Sequence, residues 1–171
     1  MRKEPKLLIF SLIAAAILVL IDQVIKLWAV GVLQDKGSIP FLHFGNFEIL
    51  DLTYLENSGA VFGSFAGMRA LLIGITSVML IACLWGLIRY GKTSKLLNTS
   101  LVLVLAGGIG NLIDRIFRGG LVVDYIEVKL FDFAIFNFAD CCVVIGVCLF
   151  ILYILFGSSL EKKKKEHSED E

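Results

Sequence analysis

The chain has 171 residues and no net formal charge at neutral pH, and 57% of its residues are hydrophobic. This length leaves room for one domain. A composition with a mean hydropathy of +0.84 is too apolar for a soluble globular protein. In a membrane protein, the placement of charges along the chain is more informative than their sum.

Four stretches are long and apolar enough to cross a membrane, because a spanning helix needs about 20 mostly apolar residues. They are Leu7–Leu33, Met68–Tyr90, Leu96–Phe117 and Phe138–Phe156. We therefore predict an all-α integral membrane protein with four transmembrane helices in a single domain, residues 1–171. A cleaved signal peptide is the alternative for residues 1–31. The apolar run there is long for such a peptide and contains Asp22 and Lys26, so we expect the first helix to be retained.

Basic residues cluster beside the helices in three places. They are Arg2, Lys3 and Lys6 before the first helix, Arg89, Lys92 and Lys95 between the second and third, and Lys162–Lys165 after the fourth. The positive-inside rule then places both termini and the 90–95 loop in the cytoplasm, and segments 34–67 and 118–137 on the other side. We expect residues 161–171 to form a disordered charged tail whose lysines contact anionic lipid.

The segment 34–67 is the one sizeable piece predicted not to be helical. Phe47-Glu48-Ile49 and Asp51–Leu55 alternate apolar and polar residues, as half-buried strands do. Gly45-Asn46 and Asn57-Ser58-Gly59 supply turn residues on either side. We predict a small β-rich segment here, lying on the extracytoplasmic membrane surface.

The cysteines indicate apolar packing. Cys83, Cys141, Cys142 and Cys148 all lie in predicted spans, and neither His43 nor His167 has metal-ligand spacing to them. We expect neither a disulfide framework nor a zinc site.

Ionisable residues inside the predicted spans are costly and usually functional. Asp22 and Lys26 are four residues apart, so they share a helix face and can pair; Lys26 could then extend to the outer interface. Such a pair could serve only helix packing or could support a site. Asn111, Asp114 and Arg115 give the end of the third helix one polar face. Asp114 and Arg115 could equally form a self-contained pair at the interface.

Two further carboxylates follow, Asp124 just after the third helix and Asp140 at the start of the fourth. Asp124 could be a turn former, and Asp140 could be favoured only by the helix dipole. Convergence argues against both interpretations. The chain places Asp22, Asn111, Arg115, Asp124, Asn137 and Asp140 at one membrane depth, from three helices and a loop.

These residues fall in five ordered motifs by which the chain resembles the lipoprotein signal peptidases (signal peptidase II) over residues 7–156. The motifs are Asp22-Gln23-x-x-Lys26, Asn57-x-Gly59-Ala60-x-Phe62, Gly107-Gly108-x-Gly110-Asn111-Leu112-x-Asp114-Arg115, Gly120-x-Val122-Val123-Asp124 and Phe136-Asn137-x-Ala139-Asp140. Val61 stands where that family often has a second alanine, and the Lys-rich tail matches no family motif.

The resemblance implies a membrane aspartyl endopeptidase with Asp124 and Asp140 as the catalytic pair. Its substrates would be diacylglyceryl-modified prolipoproteins, cut just before the lipidated cysteine, in the bacterial cytoplasmic (inner) membrane with the site on the extracytoplasmic side. It also implies contact with membrane lipids, sensitivity to globomycin-type inhibitors, and no cofactor, metal or nucleic acid. The implied supporting residues are Asp22, Lys26, Asn57, Gly59, Ala60, Gly108, Asn111, Asp114, Arg115, Asn137 and Ala139.

The residue chemistry agrees with this reading. Neither a serine, cysteine or histidine nucleophile nor a ligand set converges at this end, and two close carboxylates can share one proton and activate water. A small transporter or proton-relay subunit is one alternative, but it would place carboxylates near the bilayer midplane and often shows repeats. A four-helix scaffold without chemistry is the other, and it would leave the polar cluster without a purpose.

Overall fold

The computed structural model describes residues 5–45, 47–59 and 67–169, with side chains from Lys6 to Gly157 within these ranges. The elements in chain order are α1 (Pro5–Leu33), β1 (Ile39–Phe44), β2 (Phe47–Asn57), α2 (Arg69–Tyr90), α3 (Lys95–Phe117), β3 (Val122–Val128) and α4 (Phe138–Glu169). The motif residues Ala60, Val61 and Phe62 lie outside the described residues.

The four predicted membrane helices are confirmed. Candidate spans cover Lys6–Leu33, Arg69–Tyr90, Lys95–Phe117 and Phe138–Gly157, close to the predicted bounds. α4 continues to Glu169, beyond the membrane span, whose end at Gly157 is close to the predicted Phe156, and into the segment 161–171 that we expected to be a disordered tail. This continuation is rich in Lys and Glu, which favour helices as strongly as most apolar residues do.

α3 is the central helix of the bundle. Its buried residues run along most of its length, from Leu97 to Arg115, whereas α2 buries three residues, Leu72, Leu80 and Leu87. Small residues allow this close packing: a side chain at Gly107 would collide with the Ala139 carbonyl of α4. α3 therefore lies between the other helices, and its polar C-terminal end is buried among them.

The sheet has three antiparallel strands in the order β1-β2-β3. β1 and β2 confirm the β-rich segment predicted within 34–67. β3 was not predicted, and the expectation that Asp124 lies in a loop is wrong, because it lies on β3 opposite Leu55 of β2. Gly119 and Gly120, with φ of 70° and 102°, turn the chain from α3 into this strand in a conformation that glycine favours.

A small apolar core joins the sheet to the end of α1. Ala29 and Leu33 of α1 are buried against Val123 and Tyr125 of β3. Alternate residues of a strand face opposite sides, so Asp124 points away from this core. The core thereby directs Asp124 toward the ends of α3 and α4.

Candidate functional site

Lys26 lies at the centre of a buried polar cluster. Its side chain has no exposed area, and Nζ is 3.0 Å from Asp22 Oδ2, 3.1 Å from Asp114 Oδ2 and 2.8 Å from Asn111 Oδ1. The predicted Asp22–Lys26 pair is confirmed. The expectation that Lys26 extends to the membrane interface is wrong, because two carboxylates hold its ammonium group between α1 and α3.

Asp114 does not form the self-contained pair with Arg115 that we considered. Its carboxylate pairs with Lys26 and with Arg118 Nε at 3.3 Å, and it accepts the Val123 N–H at 3.2 Å. Asp114 thus connects α1, α3 and the start of β3. Its role in the structure is to position the strand that carries Asp124.

The side chain and backbone of Asn137 connect the two predicted catalytic carboxylates. Its Nδ2 donates to Asp124 Oδ1 at 2.6 Å, and its backbone N–H donates to Asp140 Oδ2 at 3.0 Å. Asn111 Nδ2 donates to the other oxygen of Asp140 at 2.7 Å. Asp124 and Asp140, on β3 and α4, are therefore held at one place by neutral donors.

Asn57 and Gly59 close the cluster from the end of β2. Asn57 Nδ2 donates to Asp124 Oδ2 at 2.9 Å, and the Gly59 N–H donates to Asn57 Oδ1 at 2.9 Å. Arg115 Nη2 donates to the Gly59 carbonyl at 3.1 Å. The buried Arg115 Nε has no partner among the described residues.

The first turn of α4 is fixed by three side chains, those of Asn137 just before the helix, Asp22 of α1 and Tyr125 of β3. The Asp140 N–H donates to Asn137 Oδ1 at 3.0 Å, which is an N-cap bond. The Ala139 N–H donates to Asp22 Oδ1 at 3.1 Å, and the Phe138 N–H donates to the Tyr125 hydroxyl oxygen at 3.1 Å. Helix N-terminal N–H groups are otherwise unsatisfied, so these bonds set where α4 begins.

Two predicted supporting residues, Ala139 and Gly108, contribute no polar side chain to the cluster. Ala139 has no exposed area. A Cβ atom at Gly108 would come within 2.8 Å of Leu80 Cδ2 on α2. Gly108 therefore lies at the α2–α3 contact and not in the polar cluster.

Sequence reasoning missed the roles of Gln23 and Tyr125. Gln23 Nε2 donates to the Gly110 carbonyl and to Asp22 Oδ2, both at 3.1 Å. A polar amide in an apolar span was a usable signal for Gln23. Nothing in the sequence identifies Tyr125, whose hydroxyl works through tertiary contact alone.

The electrostatics of the two carboxylates differ. Asp124 is almost fully buried, whereas Asp140 is half-buried. Burial, together with the charge of Asp140, raises the pKa of Asp124 to about 6, against the lowering effect of the Asn57 and Asn137 hydrogen bonds. The pair therefore keeps a proton up to a pH at which acid–base catalysis is effective. Within the described part of the chain, no three metal-ligating side chains lie together.

Comparisons with known proteins agree on one family. A family model described as signal peptidase (SPase) II matches residues 14–156. The lipoprotein signal peptidase of Halothermothrix orenii is 42% identical over 144 residues, which cover 83% of this chain and 92% of that protein. That of Clostridium acetobutylicum is 37% identical over 148 residues, covering 85% and 93%. A solved bacterial membrane enzyme matches with a TM-score of 0.74 and 32% identity, over 88% of this chain and 90% of that one.

Proposed function

Since the chain belongs to the signal peptidase II family of aspartic peptidases, we propose that it removes signal peptides from diacylglyceryl-modified prolipoproteins. It cuts just before the lipidated cysteine, with Asp124 and Asp140 as the catalytic pair. The observation that carries the proposal is the link between the two carboxylates. Both accept hydrogen bonds from Asn137, at 2.6 and 3.0 Å.

In the proposed mechanism the pair carries one proton. The ionised carboxylate removes a proton from a water molecule, which attacks the scissile carbonyl, and the protonated carboxyl polarises that carbonyl. The raised pKa of Asp124, about 6, supports a shared proton. Because the two groups titrate as a unit, neither role is assigned to one residue.

The supporting residues hold the pair and the substrate. Asn111, Asn137 and Asn57 orient the two carboxylates through the hydrogen bonds described above. Arg115 anchors the chain just after β2 through the bond from its Nη2 to the Gly59 carbonyl. The substrate's signal helix and acyl chains reach the site laterally through lipid, which accounts for a peptidase within a four-helix membrane bundle.

The protein is a multi-pass bacterial membrane protein. We further propose that this membrane is the cytoplasmic (inner) membrane and that the sheet and the catalytic pair face its extracytoplasmic side. The basic residues at the opposite helix ends support this orientation. On the ground of family membership, we also propose globomycin-type inhibitors and membrane lipids as ligands.

Substitution of each carboxylate tests the proposal. We expect Asp124→Asn and Asp140→Asn each to reduce cleavage of a diacylglyceryl prolipoprotein by at least about a hundredfold, because an amide has nearly the same volume but cannot act as the base. Asp35→Asn, in the exposed turn after α1, is the matched control and should keep full turnover. Purified protein in detergent would be assayed by gel shift of the product. Substantial turnover by either Asn variant would exclude the catalytic pair.

A further inference from the structure

An open groove lies beside the catalytic pair, on the sheet. It has a volume of about 920 Å³ and is lined by the last residues of β2 with Ser58 after them, and by residues 127–135, which comprise the end of β3 and the loop that follows it. Phe136, immediately after this segment, is bonded to Ile126 in both directions, at 2.8 and 3.1 Å. The wall of the groove is therefore tied to the sheet at both ends. A volume near the upper end of the ~300–1,000 Å³ typical of ligand pockets suits a short peptide.

The groove continues from the proposed active site. Asn57 lines it and also donates to Asp124 Oδ2 at 2.9 Å. A chain whose scissile bond lies at the catalytic pair therefore has its neighbouring residues within reach of the groove. Resting on the proposed function, we propose that this groove binds the first residues of the mature lipoprotein, those that follow the lipidated cysteine.

The chemistry of the lining selects the mature side of the cut over the signal-peptide side. The groove lies among strands and a loop, outside the four membrane helices. Its lining combines apolar residues, among them Leu130, Phe131 and Phe133, with three carboxylates and one ammonium group: Glu56, Glu127, Asp132 and Lys129. An apolar signal helix would leave these charges without water or partners, at high cost. A polar segment that leaves the membrane does not incur that cost.

The charges also predict which mature segments bind well. Lys129 Nζ is 3.2 Å from Glu127 Oε1 and 3.7 Å from Asp51 Oδ2, so its charge is already shared between two carboxylates. A hydrogen bond from Thr53 at 2.6 Å keeps the pKa of Glu127 below its usual range and its carboxylate ionised. The groove is therefore net acidic. Segments with lysine are favoured and segments with aspartate are repelled.

Three synthetic lipopeptides test the proposal. They share one lipobox and one diacylglyceryl cysteine, and the three following residues are all Ser, all Lys or all Asp. We expect kcat/KM for the Lys peptide to exceed that for the Asp peptide by roughly fivefold, mainly through KM, because partly exposed charge pairs have effects of this size. The ratio should shrink at high salt, which screens exposed charges.

Two exposed acidic residues distinguish binding in the groove from a general effect of the protein's charge. Glu56 lines the groove, whereas Asp35 lies outside it, in the turn after α1. Glu56→Gln should lower the Lys-to-Asp ratio, and Asp35→Asn should leave it unchanged. Equal kcat/KM for the three peptides, or equal effects of the two variants, would overturn the groove assignment while cleavage itself upholds the proposed function. Cleavage of none of the peptides by wild type would overturn both.

Discussion

At the scale of single residues, amide groups donate the hydrogen bonds that hold the two carboxylates. The Lys26 ammonium group is connected to Asp140 through the Asn111 amide. Lys26 Nζ donates to Asn111 Oδ1 at 2.8 Å, so the Asn111 amide must turn its Nδ2 toward Asp140, at 2.7 Å. A direct contact with lysine would stabilise the ionised carboxylate about twice as strongly as a neutral donor does. The amide between them orients Asp140 without that full effect, which favours a pair that keeps a proton.

The pH dependence of cleavage follows from the pKa of Asp124. In the proposed mechanism the pair shares one proton, and loss of that proton as the pH rises leaves no protonated carboxyl to polarise the scissile carbonyl. Since burial raises the pKa of Asp124 to about 6, we expect kcat/KM to fall above about pH 6. Bound substrate excludes more water and disfavours the charged form further, so the corresponding fall in kcat should lie at higher pH. Initial rates from pH 4 to 9 would measure both profiles.

Removal of the Asn57 hydrogen bond should shift that profile. The bond at 2.9 Å lowers the pKa of Asp124, so Asn57→Ala should move the alkaline fall of kcat/KM to higher pH and also reduce its maximum. Asn98→Ala, far from the site and bonded to Ser11, is the matched control and should leave the profile in place. A shift to lower pH in Asn57→Ala would contradict the assigned direction.

At the scale of elements, the cluster around Lys26 joins α1 to the end of α3. Lys26→Met should leave Asp22 and Asp114 buried without their shared cation, and loss of one partner of a buried ion pair costs about 3–5 kcal/mol. We expect a marked fall in thermal stability in detergent, measured by the fluorescence of Trp28 and Trp85, and partial loss of turnover. Adding Asp22→Asn should restore part of the stability, because Asp22 has no second cationic partner among the described residues, whereas Asp114 keeps Arg118.

Lys36→Met serves as the control for that experiment. Lys36 lies in the exposed turn after α1, so the same substitution there should change neither stability nor turnover. If Lys26→Met were as stable as wild type, the ammonium group would not hold α1 and α3 together. Complete loss of turnover in a fully stable Lys26→Met protein would instead show that Lys26 takes part in the reaction.

Substitution of Gly107 tests whether the close contact between α3 and α4 is needed for activity. In Gly107→Ala the added methyl would collide with the Ala139 carbonyl and approach Val143 Cγ2 to 2.8 Å. The first turn of α4 would have to move, and Asp140 with it, so we expect at least a tenfold loss of kcat, since an ångström of misplacement can cost more than that. Gly74→Ala, in α2 with open space around it, should be neutral. Full activity of Gly107→Ala would show that α4 adjusts freely.

The sequence was sufficient for the elements whose signal is local and strong. Long apolar runs gave the four helices, and the spacing of Asp22 and Lys26 gave their pair. β3 could not be predicted, because Val122–Val128 is short and becomes a strand by pairing with β2. Of the two cations that pair with Asp114, Lys26 was equally inaccessible, whereas Arg118 stands at the i+4 spacing that a helix brings together. The sequence suggested Arg115, the next residue of α3, as the cation that pairs with Asp114. In the structure α1 packs against α3 and provides Lys26 instead.

At the scale of the whole molecule, the helix directions bring the sheet and the buried polar cluster to one end. α1 and α3 finish at that end and α2 and α4 begin there, as the sheet contacts of α1 and β3 require. The opposite end has the Gly91–Ser94 connection and the basic residues Arg89, Lys92 and Lys95. The two ends therefore differ in both chemistry and charge, which allows one orientation in the membrane to be distinguished from the other.

The last prediction is that orientation. Basic loops remain in the cytoplasm, so residue 93 should be cytoplasmic and residue 38, on the sheet side, extracytoplasmic. Both positions are exposed. In a background where Cys83, Cys141, Cys142 and Cys148 are replaced and activity is retained, a membrane-impermeant maleimide should label Ser38→Cys in intact cells. Thr93→Cys should react only after the membrane is opened. Labelling of Thr93→Cys in intact cells would reverse the topology and put the proposed catalytic pair on the cytoplasmic side.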